Sequence, residues 1–353
     1  MDKKQKKSKI ENKKNQKLYD KFVEYSRYIQ NIIDNTEDKS EQRKQQFRLR
    51  YIILAGSIIK NHPYIIKSGE DLNEYSGIGK GIKRRVQEIL ETGTLKELDV
   101  SVMDKINERF NVIQNLTGVH GIGRKLAQTF IQKHGIKNIT ELKKQIKSGK
   151  IEVGDKLKIG LKYHNKFKTN IPRKEIDIVN DLLKGIISKI DKDLVFKIAG
   201  SYRRGKETSN DIDVLLSSKK IKTKAQYEKS KKNYLMEVVE KLKNKKFLID
   251  DLTDDTREKY MGFSKLKGKP ARRFDMIFIP YSSYPAALLY FTGSYQLNTI
   301  MRNKAKQMGL RLNQNGLFEC KEDKLKLIKT GSEKSIFKKL GMEYLEPIER
   351  NIN

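Results

Sequence analysis

The chain has 353 residues, enough for roughly two to four compact units, and its 76 Lys and Arg outnumber 44 Asp and Glu to give a formal net charge of +32. This excess predicts a polyanionic partner, for which we favour nucleic acid over the competing interpretation, an anionic membrane surface. No apolar run reaches the ~20 residues of a membrane span. The N-terminus has no hydrophobic core of a signal peptide. Cys320 is the single cysteine, and this excludes an internal disulfide and a zinc site built from cysteines. We therefore expect a reducing intracellular compartment, either the nucleus or the cytoplasm.

The chain opens with a basic, low-complexity tail. We expect residues 1–16 to be disordered and solvated, although such a tail could also add nonspecific DNA affinity or act as a targeting signal. The apolar spacing then predicts one helix from Leu18 to Ile33 and a second from Phe47 to Ile59. The polar residues from Asn35 to Glu41 predict a loop between them.

Two Gly-Ile-Gly turns follow, and each opens a basic helix. Glycine lets the backbone approach a ligand closely, and a helix N-terminus presents N–H groups to an anion. One Gly-x-Gly carries little weight, but its repetition in one highly basic chain predicts two helix-hairpin-helix motifs, which grip DNA phosphates without reading sequence. The candidate DNA contacts are Gly77, Gly79, Lys80, Arg85, Gly121, Gly123 and Arg124, with Arg273 further along the chain.

The elements after the hairpins alternate between helices and strands. Helices are predicted over Asn138 to Lys150 and over Glu175 to Ile190, and the apolar run from Leu194 to Ala199 predicts a strand. The lysine-rich residues 217–235 indicate a loop and a helix start. Short strands are predicted at Phe247–Asp250 and within the connection from Lys259 to Pro270.

The central motif places two aspartates between two apolar strands. Asp211 and Asp213 are two residues apart on a strand, so their side chains point to the same face. Two such carboxylates repel each other, and a protein that holds them together usually inserts a cation, for which Mg²⁺ suits oxygen ligands. Upstream, Gly200 and Ser201 offer N–H groups and a hydroxyl to phosphates, and Arg204 can add a bidentate contact. The motif predicts a nucleoside triphosphate and metal site; the alternative is a solvated hairpin.

A third aspartate lies in an apolar strand predicted over Ala271 to Pro280. A lone carboxylate there is costly unless a cation satisfies it, which makes Asp275 a third candidate metal ligand. Three carboxylates can hold two Mg²⁺ ions, for which Mn²⁺ can substitute. The alternative for Asp275 is a salt bridge to Arg272 or Arg273.

A third block begins at Tyr290 with the sequence Tyr-Phe-Thr-Gly-Ser. The alternative to a functional role for this block is a capped helix that buries the Tyr and the Phe in the core. The Gly293 turn exposes a backbone carbonyl, and Asn298 and Arg302 lie four residues apart on one helix face. Residues 309–318 then predict strand, turn and strand, and Ser332 begins a capping pattern for a last helix.

Together these blocks resemble the family X DNA polymerases. Gly-Ser followed by Asp-x-Asp is similar to the signature of the nucleotidyltransferase superfamily, and both GSYRRGKETSNDIDVLL and Tyr-Phe-Thr-Gly-Ser resemble that family over about residues 45–350. The resemblance implies an α+β fold, with a helical helix-hairpin-helix domain, a palm with a mixed sheet, a flanking helical subdomain and a C-terminal α/β subdomain. The implied boundaries are 1–16 (basic tail), 17–97 (N-terminal helical, lyase-like domain), 98–157 (second hairpin), 158–280 (palm) and 281–353 (nucleotide-binding subdomain).

The resemblance also implies roles for individual residues. Asp275 would accept the proton of the primer 3′-hydroxyl, and Tyr290 and Phe291 would lie against the incoming deoxyribose. Tyr295 departs from the pattern, because polymerase beta has an acid there that stacks over the incoming base. The implied nucleotide-binding residues are Gly200, Ser201, Arg204, Ser209, Asn210, Tyr290, Phe291, Gly293, Tyr295, Asn298 and Arg302. The implied Na⁺ or K⁺ ligands at the hairpins are backbone carbonyls near Asn73, Tyr75, Ile78, Thr117, Val119 and Ile122.

The implied function is templated transfer of a deoxynucleotide from a dNTP to a primer 3′-hydroxyl, at short gaps or nicks in duplex DNA, as in base excision repair, by a monomer. One alternative is a template-independent terminal transferase or end-joining polymerase, which usually carries a long loop between palm strands. Another is a DNA-end binder without catalysis, against which the presence of all three aspartates argues.

A second activity of polymerase beta-like enzymes uses a lysine of the first hairpin helix to form a Schiff base with 5′-deoxyribose phosphate. Here Arg85 stands at that position. A Schiff base needs a neutral amine, and arginine keeps its proton. Lys80 and Lys83 remain as candidate nucleophiles, although Lys83 lies about 200° around the helix from Arg85. We expect weak or absent lyase activity, with Arg85 as a phosphate ligand.

Overall fold

The computed structural model describes residues 13–164, 169–254, 257–321 and 324–352. It divides into two compact units. The first extends to Thr117 and includes Gly123–Leu142, and the second consists of Gly118–Ile122 and Lys143–Asn353. Within the described residues, no helix combines the length and the apolar character that crossing a bilayer requires.

The first unit is helical. Its helices are α1 (Gln16–Asn35), α2 (Lys39–Asn61), α3 (Lys80–Thr92), α4 (Val100–Thr117) and α5 (Arg124–His134), and α6 (Ile139–Lys147) begins in it; short 3₁₀ turns cover Lys13–Asn15 and Gly69–Leu72. The core forms because α1 buries one residue per turn against the other helices. These buried residues are Leu18, Phe22, Tyr25, Ile29 and Ile33.

Two boundaries in this unit differ from the predicted ones. Helix α2 begins at Lys39 because the Asp38 side chain accepts a hydrogen bond from the backbone N–H of Ser40, which shortens the predicted loop. Residues 13–16, which we assigned to the tail, are helical because Asn15 is buried and its side chain bonds the backbone of Tyr64 and Ile66 at 2.8 and 2.9 Å. The remaining tail, residues 1–12, lies outside the described residues.

The second unit is mixed. Its helices are α7 (Asp155–Tyr163), α8 (Arg173–Ile187), α9 (Gly200–Arg203), α10 (Lys224–Lys229), α11 (Tyr234–Asn244), α12 (Tyr284–Thr292), α13 (Tyr295–Gln307) and α14 (Glu333–Lys339), with 3₁₀ turns at Tyr281–Ser283 and Pro347–Arg350. Its strands are β1 (Ile171–Pro172), β2 (Leu194–Ile198), β3 (Thr208–Ser209), β4 (Ile212–Ser218), β5 (Leu248–Asp251), β6 (Lys259–Ser264), β7 (Arg272–Phe278), β8 (Leu310–Asn313), β9 (Gly316–Lys321) and β10 (Lys324–Ile328).

The main sheet has five strands in the order β2-β4-β7-β6-β5. Strands β4 and β7 run parallel, and the other pairs are antiparallel. On β7 the residues alternate, with Phe274 and Met276 buried in the core beneath α8 and α11 while Arg273 and Asp275 face the other side. This alternation assigns one face of the sheet to the core and leaves the other for a site. The predicted α+β fold with a mixed sheet is confirmed.

The C-terminal part builds a smaller core from α12, α13 and α14 against a three-stranded antiparallel sheet, β10-β9-β8. Strands β8 and β9 form the predicted hairpin, whereas β10 was not predicted. Lys and Leu alternate over residues 324–327, a strand signal that the prediction did not use, and all but one residue of β10 are exposed. Cys320 lies on β9 and is exposed.

Candidate active site

The three predicted metal-ligand aspartates lie together on the open face of the main sheet. Asp213 on β4 and Asp275 on β7 are direct register partners across the parallel pair. Asp211 immediately precedes β4, two residues before Asp213, and therefore falls on the same face. The structure thus brings together two carboxylates separated by 62 residues in sequence.

A tight turn brings the phosphate-binding candidates against this face. Gly200 opens the short helix α9 with φ +58, a conformation that favours glycine. A Cβ at this position would lie 3.1 Å from the Asp213 carboxylate. The Ser201 hydroxyl donates to the Ser209 hydroxyl at 2.8 Å, which connects α9 to β3. Any larger residue at position 200 would therefore press on the carboxylate.

Asp275 forms the ion pair that the sequence left open as an alternative. Arg273 donates from Nε to Asp275 Oδ1 at 2.7 Å and from Nη2 to Oδ2 at 3.3 Å. Arg272 points to the opposite side of β7, where Nε and Nη2 bind the buried Glu175 at 2.8 and 2.9 Å. Arg273 was also a candidate DNA contact; its side chain is engaged at this carboxylate, and its role in DNA binding stays a prediction.

The carboxylates have perturbed acidities. Burial, and then the negative charges of Asp211 and Asp275, raise the pKa of Asp213 to about 7. Asp211 remains exposed at the rim, yet crowding by protein atoms and the charge of Asp275 also raise its pKa. The Arg273 guanidinium lowers the pKa of both groups and so only partly offsets the repulsion.

These residues fit a divalent cation by chemistry. Among the residues that the structure describes, no three His, Cys, Asp or Glu side chains stand as a ready-made metal cluster. Both oxygens of Asp275 accept hydrogen bonds from Arg273, and because a carboxylate offers about four acceptor sites, Asp275 keeps acceptor capacity for a cation. A cation supplied between Asp211 and Asp213 would relieve the repulsion that raises their pKa values, and carboxylate oxygens suit Mg²⁺.

A pocket of about 640 Å³ opens beside the carboxylates. It is lined by all eleven predicted nucleotide-binding residues and by two of the three aspartates: Gly200, Ser201, Arg204, Ser209, Asn210, Asp211, Asp213, Tyr290, Phe291, Gly293, Tyr295, Asn298 and Arg302. Asn170, Lys206, Thr208, Thr292 and Thr299 complete the lining. Lys206 and Asn170 were not predicted as site residues. The position of Lys206, directly after the basic turn Arg203–Gly205, is a sequence feature from which its place in the pocket could have been predicted.

Several predicted ligands in the pocket are held by intramolecular contacts. Arg204 donates to the Thr292 carbonyl and, from Nε, to Asn351 at 3.0 Å. Asn298 donates to the carbonyl of Tyr290 at 2.8 Å, and the Arg302 guanidinium lies 4.9 Å from the Tyr290 ring centroid. These contacts fix the directions of the polar groups that face the pocket.

Tyr295, a predicted nucleotide-binding residue, is 81% exposed. Its ring is therefore accessible at the mouth of the pocket.

A buried charge cluster lies behind the pocket and was not predicted. Arg203 donates through Nη1 and Nη2 to the two carboxylate oxygens of Glu333 at 2.8 and 2.6 Å. Arg350, which is fully buried, donates to the same carboxylate at 2.6 Å. Burial alone would raise the pKa of Glu333, but the hydrogen bonds from Arg203 and Arg350 outweigh burial and leave it below its usual value. The cluster ties the turn after Gly200 to α14 and the last 3₁₀ turn.

The two predicted hairpins share one local backbone conformation. Gly77 has φ +90 and Gly121 has φ +92, and both positions require the left-handed region that favours glycine. Gly79 and Gly123 are the N-caps of α3 and α5, with extended dihedrals. In each hairpin an N–H also bonds a carbonyl three residues back: Ile78 to Tyr75 at 3.2 Å and Ile122 to Val119 at 3.0 Å.

The basic side chains of α3 near the first hairpin point in different directions. Lys80 is exposed at the start of α3. Lys83 points to the preceding turn, where its amine donates to Asn73 and to Glu70. Arg85 faces the other side of α3, as its predicted 200° separation from Lys83 requires.

Arg85 belongs to an ion cluster centred on Glu97. Its Nη2 donates to both Glu97 oxygens at 2.9 Å, and its guanidinium lies 5.4 Å from the Tyr25 ring centroid. Arg84 donates to the same carboxylate at 2.9 Å, and Arg48 also binds it. This Arg-Glu cluster (Tyr25, Arg48, Arg84, Arg85 and Glu97) was not predicted, because its members are up to 72 residues apart.

Arg124, a candidate DNA contact of the second hairpin, is engaged in the same way. It donates to the buried carboxylate of Asp34 through Nη2 at 2.7 Å. The predicted roles of Lys80, Arg85 and Arg124 in DNA binding stay predictions.

Three family models match the chain in succession. Residues 114–168 match the fingers domain of DNA polymerase lambda, residues 170–281 the DNA polymerase beta palm, and residues 287–351 the DNA polymerase beta thumb. The palm match contains all three aspartates, and the thumb match begins three residues before Tyr290.

Curated relatives match over most of this chain. It is 30% identical to DNA polymerase lambda of Rattus norvegicus over 311 residues, covering 84% of this chain and 51% of the relative. It is 29% identical to DNA nucleotidylexotransferase of Xenopus laevis over 336 residues, with 84% and 62% covered. It is 30% identical to DNA polymerase lambda of Arabidopsis thaliana over 313 residues, with 84% and 56% covered. The chain thus spans about half the length of the curated relatives it matches.

Proposed function

The chain belongs to the family X DNA polymerases, and on that premise we propose that it is a DNA-directed DNA polymerase that fills short gaps during DNA repair. The observation that carries the proposal is the convergence of Asp211, Asp213 and Asp275 beside a pocket lined by a Gly-Ser turn and by Tyr290. A DNA-end binder without catalysis would have no need to hold two mutually repelling carboxylates against such a pocket.

In this proposal the three aspartates would hold two Mg²⁺ ions. When bound, such ions would supply positive charge to the triphosphate and to the attacking primer 3′-hydroxyl. Asp275 then accepts the hydroxyl proton, since its carboxylate lies beside Asp213, its register partner on the open face of the sheet. Asp211 and Asp213 keep the site negative enough to select a divalent cation.

The pocket residues orient the dNTP. Gly200 and Ser201 present a backbone N–H and a hydroxyl to the triphosphate, and Lys206 adds a positive charge. The edge-to-face pair of Tyr290 and Phe291, with ring centroids 5.1 Å apart, offers an apolar surface to the deoxyribose. Tyr295 supplies an exposed ring for the incoming base.

The alternative to templated synthesis is template-independent addition of nucleotides, because the chain is also similar to the Xenopus nucleotidylexotransferase. We favour templated synthesis. A terminal transferase usually carries a long loop between palm strands. Here β5 ends at Asp251 and β6 begins at Lys259, so the connection is short.

The DNA substrate we propose is a gap or nick in a duplex, bound by a monomer. The two Gly-Ile-Gly turns share one backbone conformation and open basic helices, as expected for two phosphate sites on either side of a gap. Lyase activity is weak or absent in this proposal, because Arg85 replaces the nucleophile and is paired with Glu97.

The test is primer extension on a one-nucleotide gap with Mg²⁺, beside a single-stranded primer without template. We expect incorporation of the complementary nucleotide on the gap and none on the single strand. Efficient addition to the single strand would assign the chain to terminal transfer, and no incorporation on either substrate would reject catalysis. Binding should be tighter to a gap with a 5′-phosphate than to intact duplex and should fall steeply with salt.

A further inference from the structure

A histidine outside the pocket reaches the third carboxylate through one arginine. His120 lies in the Gly118–Ile122 segment, which belongs to the second unit. Its Nδ1 is 3.3 Å from Arg273 Nη1, and the other two nitrogens of Arg273 hold Asp275. Arginine can only donate, so His120 Nδ1 must be the acceptor and the ring proton of the neutral imidazole lies on Nε2.

The electrostatic setting favours that neutral imidazole. Burial, and then the positive charge of Arg273, lower the pKa of His120. Asp275 acts in the opposite direction, and Lys259 adds to the lowering. His120 therefore serves as a hydrogen-bond acceptor and adds no charge of its own to the site.

The segment that carries His120 is fixed in position. A Cβ at Gly160 would lie 2.1 Å from the His120 carbonyl, so α7 packs directly on this backbone. Val119 is buried, and His164 bonds the Gly118 carbonyl at 3.2 Å. A close-packed support of this kind fixes the imidazole more precisely than a solvated loop could.

Arg273 is fixed from the other side as well. Its side chain is 13% exposed, and its guanidinium lies 5.9 Å from the Phe263 ring centroid. That ring stacks on Tyr163 of α7 with centroids 4.1 Å apart. The guanidinium plane is thus set by three contacts, to His120, Phe263 and Asp275.

We propose that His120 is a positioning residue for nucleotidyl transfer, which holds Arg273 so that Asp275 keeps the orientation needed to bind metal. The inference rests on the proposed function. The fixed guanidinium plane fixes the carboxylate plane of Asp275, as an outer contact orients a ligating group. The same residue links the segment before the Gly121 turn, where DNA phosphate is expected, to the catalytic carboxylate.

The experiment compares His120→Ala, His120→Asn and His120→Gln with the wild type. Asparagine places its amide oxygen near the position of Nδ1, whereas the glutamine amide extends toward the position of Nε2. We expect His120→Ala and His120→Gln to lower kcat on a one-nucleotide gap by about 10-fold, with KM for dNTP and Kd for gapped DNA changed by less than about 2-fold. His120→Asn should restore kcat to within about 3-fold of the wild type.

A second readout does not require turnover. Binding of Mn²⁺, followed by electron paramagnetic resonance without nucleotide, should be about 10-fold weaker in His120→Ala and His120→Gln and near wild type in His120→Asn. Three outcomes would each overturn the proposal. They are an unchanged Mn²⁺ affinity in all three variants, tighter Mn²⁺ binding in His120→Ala, and equal Mn²⁺ affinities of His120→Asn and His120→Gln. If His120→Ala fails to fold, the difference in Mn²⁺ affinity between His120→Asn and His120→Gln still tests the proposal. A wild type that binds Mn²⁺ but incorporates nothing would reject the proposed function and leave the His120 link testable.

Discussion

Asp213 and Asp275 face each other as register partners on two parallel strands. Neighbouring parallel strands lie about 4.8 Å apart, so the two carboxylates share one small volume. Burial first, then the negative charge of Asp211 and then that of Asp275, raise the pKa of Asp213 to about 7.

The first prediction concerns the carboxylates themselves. Asp211→Ala, Asp213→Ala and Asp275→Ala should each lower nucleotide incorporation by at least ~100-fold, because loss of even an outer contact of a metal site costs 10–100-fold. Affinity for gapped DNA should stay near wild type. Single-turnover extension and fluorescence anisotropy measure the two quantities. Asp155→Asn, an exposed acid at the start of α7, is the control; normal turnover in any aspartate variant would reject the site.

The second prediction concerns discrimination between nucleotides. Arg302→Ala should lower incorporation of the correct nucleotide by about 10-fold, roughly 1.4 kcal/mol, and of incorrect nucleotides by less. The reason is that the Arg302 guanidinium, held over the Tyr290 ring, makes its proposed contact only with a well-formed pair. The measurement is kcat/KM for each of the four dNTPs. Arg311→Ala on β8 is the matched loss of an exposed arginine; unchanged discrimination in Arg302→Ala would assign the residue a structural role.

The third prediction follows from the Arg-Glu cluster. Glu97 places a carboxylate among Arg48, Arg84 and Arg85, and so competes with any phosphate for them. Glu97→Gln should tighten binding to a gap carrying a 5′-phosphate, relative to one carrying a 5′-hydroxyl, and steepen the salt dependence by about one unit of slope. Glu91 and Glu97 both line a surface pocket beside α3, and the Glu91 carboxylate accepts a hydrogen bond from Gln87. Glu91→Gln removes the same charge from that pocket and leaves the contacts of Glu97 with the arginines in place. Equal effects of the two variants would show that only the net charge matters.

The fourth prediction concerns lyase chemistry. Borohydride trapping on an incised abasic site should give little cross-linked protein, because Arg85 cannot supply a neutral amine and Lys83 is bonded to Asn73 and Glu70. Lys80 is the remaining exposed amine on this helix. Strong trapping in the wild type that disappears in Lys80→Ala would reveal a relocated nucleophile and reverse the prediction. Trapping lost only in Lys83→Ala would place the nucleophile on the other face of α3.

The fifth prediction concerns stability. Glu333→Gln leaves the fully buried Arg350 and the partly buried Arg203 without their anion and should destabilise the protein by about 3–5 kcal/mol in urea unfolding. Glu343→Gln, a substitution outside this cluster, should change stability by less than about 0.5 kcal/mol.

The loss of stability in Glu333→Gln should depend on pH, because Glu333 stabilises the protein in its ionised form. The folded-state pKa of Glu333 lies below its usual value of 4.5, so its contribution is complete above that pH and is lost as pH falls through the folded-state pKa. The difference between wild type and Glu333→Gln should therefore be largest near neutral pH and shrink below about pH 4.5. A difference that stays constant into acid would show that the ionised form of Glu333 is not the stabilising one.

Short-range patterns carried most of what the sequence could predict. The Asp211–Asp213 spacing, the Gly200-Ser201 turn and the apolar surroundings of Asp275 depend on neighbours a few residues away, and strand periodicity places them on one face. The predicted pocket residues lie in two stretches, 200–210 and 290–302, and only the resemblance of both stretches to one family predicted that they line one pocket.

Long-range pairings could not be predicted. His120 meets Arg273 across 153 residues, and Glu333 meets Arg203 across 130. A single sequence gives no signal for which charged residue in so basic a chain will find which partner. The strand β10 was missed for a different reason: Lys and Leu alternate over residues 324–327, which is a strand signal, but almost all of its residues are exposed, so burial does not reinforce that signal.

The lone cysteine gives the molecule a natural attachment point. Cys320 is exposed on β9, in the small C-terminal sheet, and the chain contains no tryptophan. A maleimide fluorophore would therefore label a single position without any prior substitution, and a tryptophan introduced elsewhere would be the sole indole emitter. Energy transfer between such a pair would report, in real time, whether the C-terminal subdomain moves when nucleotide is added.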